Sequence, residues 1–363
     1  MLRQPINCDR RAGPTTIPGK PRKIARGTMT AIDLFAGAGG FSSGAEQAGA
    51  EVLWAINHHK EAVACHADNH PYTTHSCTDV FEFDWREAPL SDLIMASPSC
   101  KCHSQAATGG IKTSGRRHTA PSHDKLRATP EAAIMSVYRA YHESPGRNRR
   151  QPIVVIENVT DFKNWVLYEP IVKISLERMG YAVSEFEINA MDLGVPQDRN
   201  RLFVIGVPGK TPFDLRMPKK RKPKGVGSVI RKTGVVWIPL KDYPSSGVVA
   251  KAKEQLGRIK TRLKLPKPPE YWLWTNTTTT NPNMPDKPFR TLTAAHGGQT
   301  YVMKSRGPKH WIRKITSEEL RGIMGFPASY RVPESANLTG KLMGNAVCPA
   351  VSKLIVSQLI ERA

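Results

Sequence analysis

At 363 residues the chain is long enough for two domains, or for one large domain carrying an insertion. Its 39% hydrophobic content supplies a core and excludes a wholly disordered chain. Lys and Arg number 53 against 31 acidic residues, and the net charge of +22 argues for a polyanionic partner, most simply nucleic acid. The six cysteines show no disulfide-framework spacing, no apolar leader precedes them, and no apolar run approaches membrane-spanning length. A reducing, cytoplasmic setting without membrane association is expected, where a free thiol persists as a nucleophile.

Residues Met1 to about Thr28 are rich in Arg, Lys, Pro and Gly without periodicity, and read as a flexible basic tail over 1–28. From Met29 the pattern becomes strand and helix in alternation. Ala31 to Phe35 reads as a buried strand, Ala36 to Gly40 as a turn, and Phe41 to Gly49 as a helix ended by glycine. Strands follow at Glu51 to Ile56, Thr74 to Thr78 and Ser91 to Ala96, with a helix from His59 to Asn69. Lys125 to Tyr141 reads as a helix, Ile153 to Ile156 as a strand, and Trp165 to Met179 as a helix stopped by Gly180. Tyr181 to Ile188 and Arg201 to Val207 close the series as strands. This alternation predicts an open α/β fold, a mostly parallel sheet with helices on both faces. Ligands of such sheets bind at the carboxyl ends of the strands, where Asp79, Cys100 and Glu157 all fall.

At Pro208 the texture changes. Gly209 to about Lys264 is basic and rich in Pro and Gly, densest at Lys219-Lys220-Arg221-Lys222, and reads as a second, looser domain whose charge is either a binding face or a solvated one. Tyr271-Trp272-Leu273-Trp274 beside it suits base stacking and phosphate contact, or equally a small core. Ile315 to Met324 reads as a helix opened by a capping box, Thr316 and Glu319, and a last helix runs from about Pro349 to Ile360.

Within this framework four groups of residues carry chemistry. Phe35-Ala36-Gly37-Ala38-Gly39-Gly40-Phe41 is a glycine-rich strand-to-helix turn, where the backbone approaches a ligand closely and the helix N-terminus favours an anionic group. Ile94 to Gln105 ends a buried strand at Pro98-Ser99 and hands a thiol, Cys100, to a polar loop. Lys101 and His103 there favour the thiolate. Cys100-Lys101-Cys102-His103 has no second ligand cluster at zinc spacing, so no metal is expected. Glu157 ends the next strand, where a partly desolvated carboxyl holds or shares a proton with a substrate nitrogen. Gln197-Asp198-Arg199-Asn200-Arg201 sets two arginines at i and i+2, on one face if extended.

The ordered set Asp33-Leu34-Phe35-Ala36-Gly37 with Gly39-Gly40, Pro98-Ser99-Cys100, Glu157-Asn158-Val159, Gln197/Arg199/Arg201, Arg313-Lys314-Ile315-Thr316 with Gly325-Phe326-Pro327, and Gly344-Asn345-Ala346-Val347 resembles the DNA cytosine-5 methyltransferases. The resemblance runs from Ala31 to the C-terminus and leaves the tail and much of 209–285 unmatched. It implies a Rossmann-like methyltransferase domain over 29–207, a target-recognition domain over 208–334, and a return to the catalytic domain over 335–363. It implies S-adenosylmethionine as cofactor, with S-adenosyl-L-homocysteine as product, held by Phe35, Gly37, Ala38, Gly39, Gly40, Phe41, Pro98, Asn345 and Ala346, its adenine near Asp79 and Val80. It further implies Cys100 as nucleophile on C6 of a flipped cytosine, Glu157 at N3, Arg201 beside the base, and Arg199 and Gln197 supporting the pocket. Ser104 closes over the DNA, Thr291 lies in the strip Arg290 to Ala294 that ends the recognition domain, and Lys219, Lys220, Arg221 and Lys222 meet phosphates. Double-stranded DNA is the expected partner and a monomer the expected state. The other readings are tRNA cytosine methylation and a catalytically silent DNA-binding protein.

The sequence departs from the family twice. Pro98-Ser99-Cys100-Lys101 stands for the usual Pro-Pro-Cys-Gln, and Asn57-His58-His59 for the usual Glu and aromatic residue around ribose and adenine. Asn57 retains a hydrogen bond to a ribose hydroxyl and a histidine still stacks, so cofactor affinity is expected to weaken below about pH 6.

Overall fold

A computed structural model describes residues 15–98, 129–142, 151–165, 167–276, 281–295 and 297–362. The chain forms two compact units, one of residues 1–188, 200–217 and 351–363, the other of 189–199 and 218–350. This division is not the linear one: the short segment 189–199 belongs to the second unit, and the return to the first falls at Val351.

The first unit is built on a sheet of β1 (Thr15–Ile17), β2 (Thr30–Leu34), β3 (Glu51–Asn57), β4 (Thr74–Cys77), β5 (Leu93–Ala96), β6 (Ile153–Asn158), β7 (Tyr181–Asn189) and β8 (Asn200–Pro208), in the order β1-β4-β3-β2-β5-β6-β8-β7. The pairs β4–β3, β3–β2, β2–β5 and β5–β6 are parallel, whereas β1–β4 and β6–β8 are antiparallel. All of Leu93–Ala96 is fully buried, which requires both faces of the sheet to be covered. Ile32, Leu34, Ile94, Ala96, Val154 and Ile156 line the core on one face, with α3 (Thr129–His142) supplying Ala133, Ile134 and Val137. Helices α1 (Gly40–Ala48) and α2 (Lys60–Asn69) follow β2 and β3 and pack against β3 and β4. Strand order reverses between β2 and β5, so their carboxyl ends flank the crevice where ligands of such sheets bind.

Two elements differ from the sequence reading. Ordered structure begins before Met29: β1 pairs with β4 along the sheet edge, because the β-branched run Thr15-Thr16-Ile17 suits a pleated edge despite its basic surroundings. The stretch read as one helix from Trp165 to Met179 is a π turn (Tyr168–Lys173) followed by a short α4 (Ile174–Arg178). Pro170 lacks the amide hydrogen that a regular ladder needs. The segment Lys125 to Ala128 lies outside the described residues. Among the described cysteines Cys65 and Cys348 are buried free thiols.

The second unit has its own four-stranded antiparallel sheet, β9 (Ile238–Pro239), β10 (Tyr271–Thr275), β11 (Thr300–Arg306) and β12 (Lys309–Lys314), in the order β10-β11-β12-β9. Trp272 and Trp274 alternate into its core, where Trp274 stacks on Tyr301 at 4.8 Å, so these aromatics serve the core reading. A helix absent from the sequence reading, α5 (Ser246–Thr261), buries Val248, Ala252, Gln255 and Ile259. Its apolar stripe is interleaved with lysines that gave the segment the texture of a loop. The expected capping box is present at α6 (Ser317–Ile323), and Glu319 also forms a buried bidentate pair with Arg313 at 2.6 and 2.8 Å. α7 (Ala336–Asn345) follows in this unit, and α8 (Pro349–Arg362) belongs from Val351 onward to the first. The stretch Ala336–Arg362 does reach membrane-spanning length and hydropathy, contrary to the sequence reading. It is two helices, and 61% of its most apolar window is buried, as in the core of a globular fold.

Candidate active site

The glycine turn leaves β2 through strained backbone. Phe35 has φ +58°, a left-handed conformation that is costly for an aromatic residue, and Gly37 and Gly39 follow at +55° and +82°. The turn is fastened on three sides. Ala36 N–H donates to Ile56 O at the end of β3, Ser97 donates from Oγ to Phe35 O and from N–H to Leu34 O, and Ser352 of α8 donates to Phe41 O at 2.7 Å. Ala38, Gly39 and Gly40 are buried, and the Phe41 ring packs edge-on against Phe203, leaving its backbone rather than its ring to the turn.

Beneath the turn runs a buried polar chain. Asp33 Oδ2 accepts from Ser42 Oγ–H at 2.6 Å and Ser42 N–H at 3.2 Å, stapling β2 to the first turn of α1. Because that hydroxyl donates to Asp33, His66 Nε2–H donates to Ser42 Oγ (3.0 Å), and His66 Nδ1 then accepts from His75 Nε2–H (2.8 Å). His70 Nδ1 lies beside, 2.9 Å from Glu46. Burial pushes the Asp33 carboxyl up to about 7 and holds the His66 imidazole well below its ordinary value, so both favour their neutral forms.

At the end of β3 the Asn57 Oδ1 accepts the His59 N–H at 2.8 Å, and His59 Nδ1 lies 3.0 Å from Glu61; His58 is exposed. After β4, Asp79 is half-buried with Oδ1 accepting from Phe81 N–H, and Val80 is buried. Cys100 and Ser104 lie outside the described residues, but the approach to them is fixed. Pro98 is buried, and Asn158 Nδ2 donates to its carbonyl at 3.4 Å. The adjacent Glu157 is the penultimate residue of β6 with its side chain 8% exposed, and Arg201, across the β6–β8 pairing, brings Nε to 3.2 Å from Glu157 Oε1. The first unit thus gathers the glycine turn, Asn57, Asp79, Pro98, Glu157 and Arg201 at strand ends.

The remaining expected residues belong to the second unit. Gln197 and Arg199 both point into protein. Gln197 is fully buried, accepting from Leu292 N–H (2.8 Å) and donating to Ile323 O. Arg199 is 3% exposed and donates to Leu292 O (3.1 Å), Gly344 O (3.2 Å) and Ala346 O (3.0 Å). Its two terminal nitrogens are thus spent on backbone carbonyls, which suits the expected supporting role at the pocket. Thr291 is exposed with Oγ1 donating to Asp198 O, Asn345 is exposed, and Ala346 is buried. Lys219, Lys220, Arg221 and Lys222 are all exposed, and Lys220 pairs with Asp192 at 3.0 Å.

The family profile of C-5 cytosine-specific DNA methylases matches residues 29–128 and 147–361. The chain belongs to the C-5 cytosine-specific DNA methylase family. Curated relatives include the Type II methyltransferase M.AplI of Arthrospira platensis, 28% identical over 91% of this chain and 85% of the relative. M.NlaX of Neisseria lactamica is 26% identical over 90% of this chain and 95% of the relative. Solved structures with the same fold include the Dnmt2 methyltransferase of S. pombe, with TM-score 0.60 and 16% identity over 92% of this chain and 99% of that one. The Entamoeba histolytica methyltransferase EhMeth has TM-score 0.59 and 15% identity over 92% and 98%. As a member of the family the chain is a DNA (cytosine-5) methyltransferase, and its sheet is the α/β methyltransferase fold.

Several supporting residues of this methyltransferase escaped the sequence reading. Asn158 lies inside a recognised motif that assigns it no role of its own. Ser42, His66 and His75 are scattered polar residues that only the packing of α1, α2 and β4 assembles. Asn189 accepts from Met191 N–H and Arg199 N–H and donates to Asp198, yet no spacing marks it.

Proposed function

We propose that the chain methylates C5 of cytosine within a specific duplex DNA sequence, with Cys100 as nucleophile on a base flipped from the helix. The carrying observation is the Glu157–Arg201 pair at the end of β6, beside the Asn158 contact that anchors the start of the thiol loop. Cytosine C5 is a weak nucleophile while the ring is aromatic. The Cys100 thiolate adds to C6 as Glu157 supplies a proton to N3, and the ring becomes an enamine with its electron pair available at C5. After C5 has gained its methyl group a base removes the C5 proton, the C5–C6 double bond re-forms as the S–C6 bond breaks to release thiolate, and N3 returns its proton to Glu157. Arg201 fixes the Glu157 carboxyl for that exchange and places a cation beside the base.

S-adenosylmethionine supplies the methyl group when bound. The residues fit it: Phe35, Gly37 and Gly39 take left-handed backbone in the turn that leads into the N-terminus of α1, while Asn57, Asp79, Val80 and Pro98 lie at or just past the ends of neighbouring strands. Asn345 and Ala346 complete the set on resemblance. The net charge of +22 supports duplex DNA as substrate, and the Type II methyltransferases among its relatives support a modification role in the cytoplasm.

Labelled S-adenosylmethionine with DNA or tRNA, wild type against Cys100→Ala, tests the reading. Methyl transfer to DNA, reduced to background in the variant, is expected. Transfer to tRNA alone, or to neither polymer, overturns it, and bisulfite sequencing of DNA from expressing cells then gives the recognised sequence.

A further inference from the structure

In the second unit, Arg199 buries a guanidinium against the C-terminus of α7. That helix carries no basic residue in its own last turn, and its final carbonyls bear the negative end of the helix dipole. Arg199 donates to Gly344 O and Ala346 O there, supplying from a distant segment the cation the helix lacks. Its third bond goes to Leu292 O, while Gln197, two residues earlier on the same face, accepts the Leu292 N–H. Leu292 is thus held by both backbone polar groups, and the strip Thr291 to Ala294 is locked to the end of α7. The two segments also touch directly: a Cβ on Gly344 would lie 2.3 Å from Ala294 N, so only glycine fits. Exposed Thr291 and exposed Asn345 each sit next to a residue whose carbonyl Arg199 holds.

We propose that Arg199 is a positioning residue that sets the spacing between the Thr291 strip and the Asn345–Ala346 strip, and thereby couples DNA binding to cofactor binding. This rests on the reading above, in which the first strip meets DNA and the second meets cofactor. A planar fork of donors spans three carbonyls of two segments; a lysine, with one ammonium, does not.

The test measures binding by the full chain of S-adenosyl-L-homocysteine, by calorimetry, and of a target duplex, by fluorescence anisotropy, each alone and with the other saturating. In the wild type each ligand tightens the other by the same factor, as linkage requires. In Arg199→Met that factor falls to unity and each affinity drops about tenfold. Arg199→Lys, which keeps the charge and folds more readily, shows the same loss of coupling in lesser degree. Millimolar guanidinium restores coupling to Arg199→Ala, where it has room to bind, and not to Arg199→Met. Arg313→Met, which breaks the buried ion pair with Glu319 in the same unit, lowers the melting temperature and keeps the coupling. A folded Arg199→Met with wild-type coupling overturns the proposal, as does equal loss in Arg313→Met, which marks the role as structural. A wild type that binds both ligands independently also overturns it. A wild type that binds neither removes the functional reading itself.

Discussion

The strand ends of the first unit and the joint around Arg199 in the second use the same residue types to opposite effect. At the end of β6, Glu157 and Arg201 meet each other at 3.2 Å, side chain to side chain. Two residues before Arg201, Arg199 is buried and its terminal nitrogens donate to three backbone carbonyls. A short motif therefore carries one arginine paired with a carboxylate and one that holds backbone carbonyls. Chain direction separates them: Asn200 begins β8 in the first unit, whereas Arg199 ends the segment assigned to the second.

Breaking the first region should cost rate. Glu157→Gln is expected to slow methyl transfer ~10²–10⁴-fold with duplex affinity largely kept. Arg201→Met should cost less on its own and add little to Glu157→Gln, because the pair acts as a unit. Single-turnover rates with the two variants and the double variant check this, and additive losses would show that the arginine acts apart from the carboxyl.

Beneath the same region, Asp33 gives a pH signature. Its folded pKa is raised from 3.8 to about 7, so its contribution to stability is present below pH 4 and is lost as pH rises toward 7. His66, held below its ordinary value, works in the other direction and loses stability as pH falls. Between pH 4 and 8 the stability of Asp33→Asn relative to wild type should therefore rise by at most about 4 kcal/mol. Urea unfolding at the two pH values reads the difference; an unchanged gap would mean that Asp33 stays ionised throughout.

The second region should instead lose stability when its close packing is disturbed. Gly344→Ala places a methyl group against the Ala294 backbone and is expected to cost about 1–3 kcal/mol, read as a lower melting temperature. The smallest effect concerns the exposed cluster. Deleting Lys219 to Lys224 should make the salt dependence of duplex binding shallower by roughly 0.9 in log–log slope for each phosphate the cluster neutralises. An unchanged slope would return the cluster to a solvated face.

Much of the first unit was legible because its signals are local. Buried β-branched runs, terminal glycines and a Pro before the thiol loop each act over a few residues, and strand alternation then places Asn57, Asp79 and Glu157 at one end of the sheet. The second unit was harder to read because its helix α5 hides an apolar stripe among lysines, and Trp272 and Trp274 suit a binding face as well as a core until their partners are known. The sequence by itself determined the family, the order of the motifs and the residue types at the strand ends. Only the tertiary structure decided that Arg199 faces carbonyls while Arg201 faces Glu157, and that Asp33, Ser42, His66 and His75 form one chain. Those outcomes depend on which distant backbone and side-chain groups are brought within hydrogen-bond reach, and no spacing along the chain encodes that distance.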